Sequence, residues 1–313
     1  MNRSAPLCVL AGALLAAPAT GQLAPPPPDP VEKPPVIYPP PPPPPRPATP
    51  PPRQRGQPAP PDFEFESLVV RADDGRLKPL PKSPEYLALT RNPKLRADQK
   101  QALIEGVAAW QESIDTLVIE NIDLVIDVAG GLFDRIDLNK PEDFNQAQEI
   151  MKVLMAGGRL ADYLEKEDII NVEQQNATMA IWREWVNEYN KDALEAARAK
   201  HGENMQEVAV TAGRATFHLL TMNPMMSFKR MTLEIAGNFD QVMSQSGVAE
   251  AAPDEVAAAK KALAEATTDD QRSKVIVDLL GELRFSQQRA VLEANEELAP
   301  DPSFPELQNI GAG

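Results

Sequence analysis

Between Asp98 and Leu138 the chain is apolar around most of a helix's circumference, and no other stretch constrains the fold as strongly. Leu103, Val107, Trp110, Ile114, Leu117, Leu124 and Val128 recur at alternating steps of four and three, interrupted only at Asn121. Ile104, Val118, Ile122, Val125, Ala129, Leu132 and Ile136 make a second apolar stripe beside the first. A helix with so little polar surface must be surrounded by other elements. The run therefore predicts a long central helix in an all-α fold. Its narrow polar stripe, Glu112, Thr116, Glu120, Asp123, Asp127 and Asp134, is left to face water.

Punctuation places further helices after it. Asn139 and Pro141 open one that carries Phe144, Ile150, Val153, Leu154, Leu160 and Leu164. From about Glu167 to Lys200 a coiled-coil spacing runs through Val172, Met179, Trp182, Val186, Tyr189, Ala193 and Ala196, and His201-Gly202 stops it. A fourth helix, about Glu203 to Met222, is expected to stop or kink sharply at Asn223-Pro224, and a fifth to end at Gly247. Pro253 opens a sixth, and Thr268 to Leu298 reads as one long seventh. Short connections favour antiparallel neighbours, so the helices predict an elongated antiparallel bundle. Gly130-Gly131 and Gly157-Gly158 cost helix stability, and close packing of another element is the expected use of both pairs.

The part ahead of the helices divides by composition. Residues 1–21 read as a signal peptide, with Arg3 as the positive start, Leu7 to Ala17 as a short apolar core and Ala19-Thr20-Gly21 as the cleavage site. Residues 22–66 read as a proline-rich disordered spacer, because a run such as Pro39 to Pro45 lacks the N–H donors that helix or sheet requires. Fully extended at about 3.1 Å per residue, the stretch from Pro25 to Pro61 would reach on the order of 110 Å. A ligand for an aromatic-lined groove is the second reading of this stretch, with Arg46 and Arg53 as the basic residues such grooves favour. Residues 67–96 predict a short β-hairpin arm, turning at Asp73-Asp74-Gly75, and a short helix opened by Ser83-Pro84. Residues 97–299 form the helical domain, and 300–313 a loose tail.

Charge and cysteine usage exclude several classes. The net charge is −15, and no cluster of Lys or Arg interleaves with aromatics, so nucleic acid is not an expected partner. Cys8, the one cysteine, falls inside the signal peptide, which leaves an exported chain without disulfide or zinc-thiolate site. No later run is apolar enough for a transmembrane helix, since Leu117 to Phe133 carries Glu120, Asp123 and Asp127. There is no nucleophile elbow, no phosphate loop and no Gly-x-Gly-x-x-Gly turn. The chain is not expected to be an enzyme, and no catalytic residue or cofactor is assigned.

Two constellations remain. His218, Met222, Met225 and Met226 cluster around the Asn223-Pro224 break and are ligand types that suit Cu(I), although a packed joint of gap-filling methionines is the favoured reading. Trp182 and Trp185 are candidate interface anchors on the third helix, with Trp182 as core and Trp185 as rim the favoured alternative.

Leu95-Arg96-Ala97-Asp98-Gln99-Lys100 and Thr267-Thr268-Asp269-Asp270-Gln271-Arg272 resemble the Leu-Thr-x-x-Gln boxes that open helices in small exported helical chaperones and metal-stress proteins of the Spy type. Arg96 stands for the box threonine in the first and Thr267 for the leucine in the second. Thr268-x-x-Gln271 is equally a capping box. The resemblance implies a helical cradle for unfolded clients, here acidic. The sequence as a whole leads to an exported, non-catalytic helical interaction or scaffold protein of a bacterial-type envelope, with a protein partner or self-association. The expected location is secreted or periplasmic, and a periplasmic client-binding chaperone-like or metal-stress protein and a Cu(I)-binding Met-rich protein are the alternatives.

Overall fold

The computed structural model describes residues 63–298 and 304–311. The expected signal peptide, the spacer up to residue 62, residue 299, and residues 300–303 and 312–313 of the tail lie outside them. The described part belongs to one unit and is all-α, with helices through most of its length. Among the described residues no strand forms. Around Asp73-Asp74-Gly75 the chain makes a tight reversal with a single antiparallel bridge between Arg71 and Leu77, closed by N–H of Lys78 to the Val70 carbonyl at 2.8 Å and by Gly75 at φ +80.

The helices are α1 (Pro84–Thr90), α2 (Lys100–Glu120), α3 (Ile122–Ala129), α4 (Leu132–Arg135), α5 (Pro141–Leu154), α6 (Leu160–Lys166) and α7 (Val172–His201). They continue as α8 (Met205–Leu220), α9 (Met222–Gly237), α10 (Phe239–Gln245), α11 (Val248–Ala251), α12 (Pro253–Glu265), α13 (Asp269–Glu282) and α14 (Phe285–Glu296). Among the described residues none is long and apolar enough to cross a membrane.

The long central helix is interrupted twice, which corrects the expectation of one element. At Asn121, with φ −120 and ψ 34, the side-chain amide and the backbone N–H both donate to the Leu117 carbonyl, at 2.9 and 3.2 Å. At Gly131, φ is +86, a left-handed conformation that glycine adopts without a Cβ penalty, so this pair makes a turn rather than a packing contact. Gly157 is the close-packing case: a Cβ there would sit 2.3 Å from Cδ1 of Ile114. The expected long seventh helix likewise divides, after Glu282. Buried Gln288 donates to the carbonyls of Leu280 and Leu283 at 2.7 and 3.2 Å and so caps α13 from α14.

Three apolar clusters hold the fold. The largest joins the end of α2 and α3 to α5 and α9–α14, through Val118, Ile122, Val125, Phe228, Ile235, Ile276, Leu280 and Val291. A second gathers α1, the first half of α2 and α6 around Leu103, Trp110 and Leu164. The tail completes it, correcting the expectation of a loose end: Leu307 and Ile310 are buried in this cluster. The third packs the arm (Phe63, Leu68, Leu77, Leu80) with α1, α6 and α8 against α7. Met179, Trp182 and Val186 of α7 are thereby covered within the chain. Thr116 and the five acidic residues of the α2–α4 stripe are exposed, as a solvated face should be.

Candidate functional site

Where the third cluster meets the second, the helices do not close. A cleft of about 1690 Å³ lies between the arm, α2, α7 and the joint of α8 and α9. Each wall follows from a local sequence feature.

The outer wall is the arm, residues 71–83, laid along α7. Glu184, Glu188 and Asp192 stand four residues apart and so project from one face of α7. Glu184 accepts from Ser67 Oγ at 2.8 Å, Glu188 pairs with Arg71, and Asp192 accepts from Arg71 at 3.0 Å and from the Leu77 N–H at 2.9 Å. The Leu77 N–H, with Arg71, holds the Asp192 carboxyl below its ordinary range, and the two carboxylates raise the Arg71 guanidinium. The far end of the arm is pinned by Lys82 to Glu306 and by Ser83 Oγ to Asn223 Oδ1 at 2.8 Å.

The second wall is a stripe along α8 and α9. Pro224 has the helix interruption expected of it nearby: α8 ends at Leu220, the residue whose carbonyl an N–H at position 224 would have reached. The proline occupies the first turn of α9, where the missing N–H has no intrahelical acceptor to lose. The interruption is at Thr221, whose φ −94 and ψ 5 stay near helical values. Its hydroxyl donates to the Phe217 carbonyl at 3.0 Å, and the Met225 N–H bonds across the joint to the Thr221 carbonyl at 3.1 Å. His218, Met222, Met225 and Met226, then Lys229, Arg230, Leu233 and Glu234, therefore fall in one row along the cleft. His218 is exposed and the three methionines are half-buried. The four candidate soft-metal ligands thus share one wall. Among the described residues no group of three His, Cys, Asp or Glu side chains is placed to hold a metal ion.

The floor is aromatic. Trp110 of α2 and Trp185 of α7 are each 3% exposed, and Trp185 stacks on Tyr189 with centroids 5.2 Å apart. Tyr86 meets Phe304 at 5.7 Å. The indole N–H groups of Trp110 and Trp185 are buried with no acceptor among the described residues. Trp185 is not the rim residue its position suggested. Trp182 lies outside the cleft, in the core of the third cluster, with the Arg159 guanidinium 4.8 Å from its ring centroid.

Charges around the cleft are mostly compensated. Arg230 is paired with Asp115 and with Glu234 at 3.0 Å, Lys229 with Asp270 at 2.6 Å, and Arg76 with Asp74 at 3.7 Å. Behind the floor, Glu85 accepts from the Leu160 N–H at 2.8 Å, and burial pushes its carboxyl up to about 7.

Sequence reasoning placed the methionine row but missed Trp110, Tyr189, Arg71 and Asp192 as wall residues. The four-residue spacing of Glu184, Glu188 and Asp192 was the available signal, because an acidic row on an otherwise apolar seam needs a cationic partner. The two Spy-like boxes act as capping devices. Gln271 Oε1 accepts from the Thr268 N–H at 3.2 Å and Gln99 Oε1 from the Arg96 N–H at 3.1 Å.

No family model, curated protein or solved structure matches the chain. The class that fold and site define is an all-α protein with an open, aromatic-floored and methionine-walled cleft.

Proposed function

We propose that the protein is an exported, non-catalytic interaction protein of a bacterial-type envelope, and that the cleft is where it holds an extended segment of another polypeptide. In this reading the helices form an antiparallel bundle that carries the cleft, and the hairpin arm is its rim. The observation that carries it is the cleft's size joined to its walls. A volume of about 1690 Å³ exceeds the roughly 300–1,000 Å³ of small-molecule sites. Unbranched methionine side chains adjust to varied surfaces, which suits a polypeptide ligand. Support for a non-catalytic role comes from the carboxylates: Asp192 and Glu234 are tied to Arg71 and Arg230 and so are poorly placed to act as bases.

The test is photo-crosslinking from position 226 in the native envelope, with the attachment mapped. Crosslinks concentrated in one extended segment of one or two polypeptides are expected, lost in a Met222→Ala/Met226→Ala variant that melts as the parent does. Crosslinks scattered over many unrelated chains would favour the chaperone-like alternative, and none to any polypeptide would remove the reading.

The shared wall of His218, Met222, Met225 and Met226 favours a second reading, Cu(I) binding. Titration with Cu(I) should then give tight binding that weakens when His218 and Met222 are replaced by Ala and Leu.

A further inference from the structure

Resting on the cleft reading, we infer that the tail is a self-ligand docked at one end of the cleft, and that the partner's segment displaces it with the same chemistry: an aromatic residue, then an acid, then two aliphatics in step with the aromatic. Phe304, Glu306, Leu307 and Ile310 supply that pattern in the tail. They act together because Pro305–Asn309 is a 3₁₀ turn, in which side chains three residues apart lie one above the other.

The tail is docked on the body rather than woven into it. Its own backbone closes the turn, with the Leu307 N–H bonded to the Phe304 carbonyl at 3.0 Å and the Ile310 N–H to the Leu307 carbonyl at 3.3 Å. Among the described residues no backbone–backbone hydrogen bond joins residues 304–311 to the rest of the chain. Side chains hold it instead. Leu307 and Ile310 are buried in the cluster that α1 and the first half of α2 share. Glu306 pairs with Lys82 and accepts from the Tyr86 hydroxyl at 2.8 Å, and Lys100 Nζ donates to the Gln308 carbonyl at 2.7 Å. Apolar anchors at regular steps in a groove, with a charge pair fixing the register, are how short segments of separate polypeptides are held.

This groove continues the cleft, since Phe304 lines the cleft together with Lys82, Ser83 and Tyr86. A segment lying along the arm and running past Tyr86 therefore meets Phe304, and goes further only by taking the tail's place. Its carboxylate then finds the cation and hydroxyl that Glu306 leaves, and its aliphatics fill what would otherwise be cavities. The tail is tethered close by through residues 299–303, so it competes at an effective concentration on the order of millimolar. It sets the affinity a partner must exceed, and segments without this chemistry are refused.

The probe is a fluorescent peptide of residues 302–313, and because every full-length chain already carries that segment, it is read on variants whose own tail is disabled. In the parent the tethered tail blocks it. In Leu307→Ser/Ile310→Ser the peptide should bind at least about ten-fold more tightly than in the parent and raise the melting temperature of the variant. Gly311, at φ +71, passes so near α2 that a Cβ would sit 2.5 Å from the Ala97 nitrogen, so a peptide carrying Gly311→Ala should bind at least about ten-fold more weakly. Gly311→Ala in the full chain is the gentler second variant, because it loosens the tail and leaves both buried anchors in place. Photo-crosslinking from position 226 connects tail and partner: its yield should rise several-fold in both variants and fall back when the peptide is added.

If the peptide binds neither variant up to about 1 mM, or binds equally well with Gly311→Ala, the groove is not a docking site and the inference is wrong. If it binds but the crosslinking yield is the same in parent and variants, the tail does not compete with the partner; the inference is again wrong, and the cleft reading stands. Crosslinks absent from parent and variants alike remove the cleft reading and this inference with it.

Discussion

The two faces of α9 make the most informative contrast in the molecule. One face sends Phe228, Met231 and Ile235, each at most 2% exposed, into the largest apolar cluster, where α13, α14 and α3 surround them. The other presents Met222, Met225, Met226 and Leu233 to the cleft, where none of the described residues covers them fully. Both faces are rich in apolar side chains, so hydrophobicity alone does not distinguish them. What differs is completion: the first face is packed, whereas the cleft side leaves methionines half-exposed. A surface that could have been closed by a few larger side chains but is left open is the expected form of a binding site.

The contrast breaks most visibly if both faces are truncated. Phe228→Ala should cost about 3–5 kcal/mol, the range for a buried aromatic that leaves a cavity, in urea unfolding. Met226→Ala on the same helix should cost under about 1 kcal/mol. Equal losses would mean that the cleft face is also core.

The acid response of the floor sharpens the comparison. Glu85 is buried, its carboxyl raised to about 7 first by desolvation; Asp162 also raises it, while the Leu160 N–H, Arg159 and Asn223 oppose the shift. In the unfolded chain the group ionises near 4.5, so between 4.5 and 7 the fold holds the extra proton. Stability from this group is therefore full below pH 4.5, falls as pH rises toward 7, and settles about 3 kcal/mol lower above it. Glu85→Gln keeps an acceptor for Leu160 and should remove most of that slope. If denaturation midpoints of parent and variant run parallel from pH 5 to pH 8, the carboxyl is not buried as described.

Two smaller effects concern the elements that frame the cleft. Gly157→Ala brings a Cβ against Ile114 and should cost about 1–3 kcal/mol by overpacking. Arg71→Ala releases the arm from Glu188 and Asp192. Global unfolding should hardly change, since exposed pairs contribute little, but the Leu77 and Lys78 amides should exchange faster with solvent. An unchanged exchange rate would show that apolar contacts of Leu77 and Leu80 suffice to hold the arm.

Much of this was legible in the sequence. The apolar stripes of residues 98–138 predicted a surrounded helix, and the acidic stripe beside them faces solvent. The same periodicity concealed the interruptions at Asn121 and Gly131, because both flanking segments keep one apolar register and a break costs only a few backbone hydrogen bonds. Pro224 marked an interruption but not its residue: the break lies at Thr221, just ahead of it, because a proline removes the donor to the carbonyl four residues earlier. Of the spacing read along α7, Met179, Trp182 and Val186 are core while Val172 and Ala196 are exposed, and a pattern does not name its partner. The arm, α1, α6 and α8 of the same chain cover the three core residues.

By itself, then, the sequence determined the helical class, several of the capped helix starts, the solvated acidic stripe and the methionine row, since each depends on residues within a few turns of one another. Only the tertiary structure decided that Trp110 and Trp185, 75 residues apart, share one floor, that the tail is core, and that the walls beside the methionines stay open. Those facts depend on which surfaces meet, and contacts between distant segments are fixed by the shape of the whole core.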